Sequence, residues 1–105
     1  MSWTVSFLEA AINDINKLDK SSKVQVVKAI NKVAKNPLPQ SEGGYGKPLG
    51  NKKGNNLTGL FKIKLKDSGI RVVYKIERVA EKMIIVVVSA RKDNIVYDTA
   101  GKRTQ

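Results

Sequence analysis

Between Trp3 and Leu8 large apolar residues alternate with small polar ones, the period of a short strand. The period then lengthens. Leu8, Ala11, Ile12, Ile15 and Leu18 recur at helical spacing, and Ser6 with Glu9 has the spacing of a capping box just ahead of them. Asp19 to Ser22 breaks the pattern, and Ser22 with Gln25 offers a second capping box. Val24, Val27, Ile30 and Val33 then predict the buried side of a second helix, with Lys23, Lys28, Lys32 and Lys35 mostly on its solvated side. That helix ends at Asn36, because the residue before Pro37 disfavours helical geometry. Residues 37–56 are rich in Pro, Gly, Asn and Lys and read as a long connection, which in a small domain is usually functional or mobile.

From Leu57 onward the period is two. Phe61, Ile63 and Leu65 alternate with Lys62, Lys64 and Lys66; after Asp67-Ser68-Gly69, Ile70, Val72, Tyr74 and Ile76 alternate with Arg71, Val73 and Lys75. This predicts a β-hairpin. A turn over residues 66–69 sets Leu65 opposite Ile70, Ile63 opposite Val72 and Phe61 opposite Tyr74, so every apolar residue meets an apolar partner. The same register puts Lys64 directly across from Arg71, with Lys62 two positions along. Residues 83–90 form a near-continuous apolar run, suited to a central strand covered on both faces. The expected fold is a single α/β (α+β) domain over 1–105. Two N-terminal amphipathic helices pack on a small, mainly antiparallel sheet, in the order β-α-α-β-β-β with a short C-terminal tail.

Like charges placed opposite each other destabilise a sheet by up to roughly 1 kcal/mol. Selection for folding alone would favour Glu or Thr at position 64 or 71, so the cluster of Lys62, Lys64 and Arg71 reads as a grip on something anionic. The charge balance agrees. The chain carries 20 Lys and Arg against 9 Asp and Glu, and residues 46–105 hold fourteen of the basic side chains and five of the acidic ones. A polyanion is the natural partner of that half. For Lys66 and Lys75 solvation of an exposed strand is the simpler reading.

The chain has no histidine and no cysteine, which removes the commonest acid–base group, thiolate metal sites and disulfides together. Any catalysis must use other groups, and neither a metal nor another cofactor is expected. No apolar run is long enough to span a bilayer, and the first residues lack a basic n-region and an extended apolar stretch. A cytoplasmic protein with no membrane partner and no small-molecule ligand is therefore expected.

The stretch Leu60 to Tyr74 (LFKIKLKDSGIRVVY) resembles the signature hairpin of RelE-type toxins, within the RelE/ParE superfamily of toxin–antitoxin modules. Val88 to Tyr97 (VSARKDNIVY) resembles the family's second signature block; upstream, Lys17-Leu18-Asp19 and Gly46-Lys47-Pro48-Leu49 also resemble the family's pattern, less specifically. The resemblance implies a toxin that enters the ribosomal A site and cuts mRNA by attack of a 2′-hydroxyl on the adjacent phosphate. The products would be a 2′,3′-cyclic phosphate and a 5′-hydroxyl. It implies Lys64 as general base, Lys62 and Arg71 holding the phosphorane oxygens, Arg91 stabilising or protonating the leaving group, and Tyr97 stacking on or orienting the RNA. Lys47, Lys52, Lys53, Lys92 and Arg103 are candidate RNA contacts, and an acidic cognate antitoxin, the ribosome and mRNA are the implied partners. Some relatives use a glutamate and a histidine instead, a branch this histidine-free chain cannot join. The competing functions are a ParE-like poison of DNA gyrase and a non-catalytic nucleic-acid-binding module.

Overall fold

A computed structural model describes residues 3–52, 55–90 and 93–104. The elements run β1 (Thr4–Phe7), α1 (Glu9–Asn16), α2 (Lys20–Val33), a 3-10 turn (Gln40–Glu42), β2 (Lys47–Lys52), β3 (Asn55–Lys64), β4 (Arg71–Glu77), β5 (Lys82–Ser89) and α3 (Asp93–Arg103). The five strands form one sheet in the order β1-β5-β4-β3-β2, with β1 parallel to β5 and the other pairs antiparallel.

The hairpin of β3 and β4 has the register read from its pattern: Phe61 opposite Tyr74, Ile63 opposite Val72, and Lys64 opposite Arg71. Leu65 N–H donates to the Ile70 carbonyl and Gly69 N–H to the Leu65 carbonyl, both at 2.9 Å. Gly69 has φ +72°, a conformation that costs an L side chain energy and a glycine nothing. β5 is an inner strand, between β1 and β4, and Met83 through Val88 are all buried because both faces of the sheet are covered.

One face carries Phe61, Val72, Tyr74, Met83 and Ile85 against Ala11 of α1 and Val26, Ile30 and Val33 of α2. The opposite face carries Leu49, Leu57, Leu60, Val73 and Val87 against Val96, Tyr97 and Ala100 of α3. Tyr74 is fully buried and stacks on Phe61, with ring centroids 5.2 Å apart. Its hydroxyl donates to the Pro37 carbonyl at 2.9 Å, which ties the connection after α2 to the sheet, and burial raises its pKa above the ordinary phenol value. That connection is also clipped from outside, where Arg78 bonds both carboxylate oxygens of Glu42 at 2.8 and 2.9 Å.

Several expectations are corrected. The chain does not end in a short tail: residues 93–103 form α3, which covers the second face of the sheet. The long connection is shorter than 37–56, because residues 47–52 are strand. Pro48 and Gly50 hid that strand, yet β2 lies at the sheet edge, where a proline costs few ladder bonds, and the register shifts between Pro48 and Gly50. Neither capping box forms. Leu8 precedes α1 with no side-chain cap, and Asp19 caps α2 by accepting from Ser22 N–H at 3.3 Å. On α2 the buried residues are Val26, Ile30 and Val33, while Val24 and Val27 are 48% and 45% exposed. Ile12 of α1 likewise faces outward.

Candidate nucleic-acid interface

Successive strand residues point to opposite faces, and residues directly opposed across a pair share a face. Lys62 and Lys64 therefore lie on the same face as Leu60, which is buried under α3, and away from Phe61 and Ile63, which meet α1 and α2. Arg71, opposite Lys64, and Val73, opposite Lys62, are on that face too. Lys64 is exposed, whereas Lys62 and Arg71 are half-buried. Arg71 Nη1 donates to the Gly69 carbonyl at 3.0 Å, so the hairpin turn orients the guanidinium.

The register adds a fourth cation. Lys47 of β2 pairs directly with Lys62 of β3 and is exposed. Lys47, Lys62, Lys64 and Arg71 thus stand on one face across three adjacent strands. Reading 47–52 as loop had hidden this neighbour; the alternation of Lys47 and Leu49 about Pro48 was the signal. Lys75, opposite Leu60, shares the face but lies farther along β4. Lys66 lies in the turn beside Leu65, in a groove shared with Gln25 and Lys28 of α2.

Two candidates stand elsewhere. Tyr97 is 5% exposed and packed with Leu60, Val73 and Val87, so its ring is not open to stack on a base. Arg103 is engaged within the fold: its guanidinium meets Asp14 at 2.6 Å and donates to the Val86 carbonyl at 2.9 Å. Asp14 also accepts from Val88 N–H at 3.0 Å. The two side chains are only 16% and 23% exposed, so this pair works as an anchor that seats the end of α3 on β5 and α1. Sequence reading missed Asp14, which interrupts the helical stripe of α1 without announcing a partner 89 residues away. Lys53, Arg91 and Lys92 lie outside the described residues, and Lys52 is described only as the end of β2, paired with Asn55. In the chain Arg91 comes two residues after Ser89, which pairs with Arg71.

Crowded cations on a rigid sheet can bind successive phosphates, and they supply a fixed positive field for charge that develops on a phosphate in reaction. Fold and face together define a small α+β domain with a strongly cationic sheet surface. No protein-family model matches the chain. It is 33% identical over 106 residues to a RelE-like toxin protein of Escherichia coli, with 98% of each covered. It is 30% identical over 105 residues to the mRNA interferase toxin RelE of Escherichia coli K12, again with 98% of each covered. Among solved structures, a substituted form of the E. coli RelE toxin in the free state has a TM-score of 0.78 at 25% identity, covering all of both chains. The toxin–antitoxin complex RelBE from Mycobacterium tuberculosis has a TM-score of 0.69 at 26% identity, covering 89% of this chain and 95% of that one. The chain belongs to the RelE family of toxins.

Proposed function

We propose that this protein is the toxin of a type II toxin–antitoxin module, an endoribonuclease that cuts mRNA in the ribosomal A site. The observation that carries the reading is the register that sets Lys64 opposite Arg71, with Lys62 and Lys47 on the same face. The names borne by its relatives, RelE-like toxin and mRNA interferase, support it.

In this reading Lys64 takes the proton of a ribose 2′-hydroxyl. The oxygen attacks the adjacent phosphorus, the bond to the 5′-oxygen breaks, the departing oxygen takes a proton from water, and a 2′,3′-cyclic phosphate and a 5′-hydroxyl result. Lys62 and Arg71 hold the phosphorane oxygens, and Arg91 stabilises charge on the leaving oxygen. Arginine is a poor proton donor, because its guanidinium holds its proton far above neutral pH, so charge stabilisation is the better half of its role. Lysines and arginines here take the part that a metal ion would otherwise play, which makes the proposed reaction metal-independent. Lys47 extends the phosphate grip by one strand. Tyr97 and Arg103 are assigned to holding α3 rather than to touching RNA. The protein works in the cytoplasm, where ribosome and mRNA are its partners. An antitoxin neutralises it, as the solved toxin–antitoxin complex of a structural relative suggests, and the cationic face calls for an acidic one.

Induced expression followed by primer extension tests the reading. Cuts inside translated messages are expected, with growth arrest relieved by co-expression of the cognate antitoxin. Intact messages accompanied by DNA damage would instead identify a ParE-like gyrase poison.

A further inference from the structure

With Tyr97 buried, an aromatic able to stack on RNA has to be sought elsewhere. Of the three tyrosines, Tyr74 and Tyr97 are buried and Tyr45 is 49% exposed. Its backbone is nonetheless held firmly. Tyr45 N–H donates to the Asn36 carbonyl and Gly46 N–H to the Leu38 carbonyl, both at 2.9 Å. At Gly44 a Cβ would fall 2.1 Å from the Leu38 carbonyl oxygen, so a glycine is needed for this close approach. The Glu42–Arg78 pair clips the same connection from outside. The ring also has a cationic neighbour. Lys32 Nζ of α2 lies over it, 6.0 Å from the centroid, at the outer reach of a cation–π contact. Two residues after Tyr45, Lys47 opens β2 and pairs with Lys62. Two residues of chain span at most about 7 Å, and β2 is an edge strand. Tyr45 thus stands where the cationic face meets the rim of the sheet.

We infer that Tyr45 is a stacking platform for an unpaired base of the RNA strand whose phosphates lie on Lys47, Lys62, Lys64 and Arg71. The inference rests on the RNA reading given above and adds to it a residue that meets a base away from the cut. Stacking needs an aromatic plane that is open to the strand, and it is strongest when that plane is already fixed in place. Tyr45 is open at its ring and fixed at its backbone. A strand that leaves the cationic face across its β2 edge passes this ring, because no strand lies beyond β2. Lys32 and Lys47 would then meet the phosphates on either side of the stacked base. An acidic peptide would be drawn by the same lysines, but it has no use for a fixed aromatic plane. Because every base has a π-face, the platform holds the strand without reading its sequence.

Equilibrium binding of a fluorescent 2′-O-methyl RNA, which lacks the attacking hydroxyl and stays uncut, provides the test. Its control has the same backbone with abasic positions in place of the bases. Tyr45→Ala should weaken binding of the base-bearing strand by about 5- to 150-fold, the usual contribution of one stacked base, and leave the abasic strand unchanged. Tyr45→Phe should bind as the parent does, whereas Tyr45→Leu, apolar but not planar, should behave like the alanine variant. The ring is half exposed, so none of these substitutions empties the core. Lys47→Ala should weaken both strands alike and lower the salt slope by about 0.7, while Tyr45→Ala should leave that slope as it was. Equal affinity of parent and Tyr45→Ala for the base-bearing strand would overturn the proposal. So would equal losses on the two strands, or a leucine variant that binds bases as well as the parent. A Tyr45→Ala variant that binds RNA normally but no longer captures the cognate antitoxin would make the ring a protein contact and also overturn it. A protein that holds bases through Tyr45 yet never cuts RNA would refute the nuclease reading alone. One that cuts messages while binding bases equally well without Tyr45 would refute this inference alone.

Discussion

Replacing Lys64 by alanine should lower RNA cleavage by about 10²- to 10⁴-fold, the usual contribution of a positioned general base. The side chain is exposed, and Arg71 opposite it is relieved of a like charge, so thermal stability should be unchanged or slightly raised. The informative companion is Lys64→Arg. It keeps a cation on the sheet face but offers a group that cannot serve as a base. If Lys64 works as a base, the arginine variant should bind RNA as well as the parent and cut it as poorly as the alanine variant. Near-parental cleavage by Lys64→Arg would show that only charge is needed at this position. Single-turnover cleavage, with RNA binding measured separately at matched ionic strength, distinguishes the two outcomes.

Tyr74→Ala should cost about 3–5 kcal/mol of stability, the range for truncating a large buried aromatic. For a domain near 100 residues that corresponds to a fall in melting temperature on the order of 10–30 °C. The site justifies the upper part of the range. Tyr74 is fully buried, stacks on Phe61 and holds the Pro37 carbonyl, so its loss opens the core beneath α2 and frees the connection before β2. Tyr74→Phe keeps the ring and loses the hydroxyl alone, and should cost only about 1 kcal/mol. A thermal melt of the two variants side by side checks this. A small loss in the alanine variant would mean that the Phe61–Tyr74 layer is not central to the core.

The sequence was most legible where one physical constraint dominated. In the hairpin, apolar residues at every second position admit one register, and the facing of Lys64 and Arg71 follows from it. In β5 the unbroken run from Met83 to Val88 permits no exposed face. Legibility failed where partners distant in the chain decide. On α2, valines at 24, 26, 27 and 33 are spread around the helix, and the pattern does not say which of them meet the sheet. Strand β2 contains Pro48 and Gly50 and exists because β3 offers it an edge. Among the described residues, helix α3 contributes Val96, Tyr97 and Ala100 to the core; it includes Gly101 and is held by Arg103 reaching Asp14 from the far end of the chain. That helix is why an aromatic close to a basic block, a natural stacking candidate on paper, is folded into the interior. Lys47 was visible as a cation but became a neighbour of Lys62 only through the strand register.

The most direct measurement is the chemistry of the cut ends. Purified protein is incubated with ribosomes paused on a defined mRNA, and the termini of the fragments are identified by their reactivity toward phosphatase and polynucleotide kinase. The account predicts ribosome-dependent cuts that leave a 2′,3′-cyclic phosphate and a free 5′-hydroxyl, in chelator as well as without it. Fragments with 5′-phosphates, or a message that stays whole while the ribosome is occupied, would contradict it.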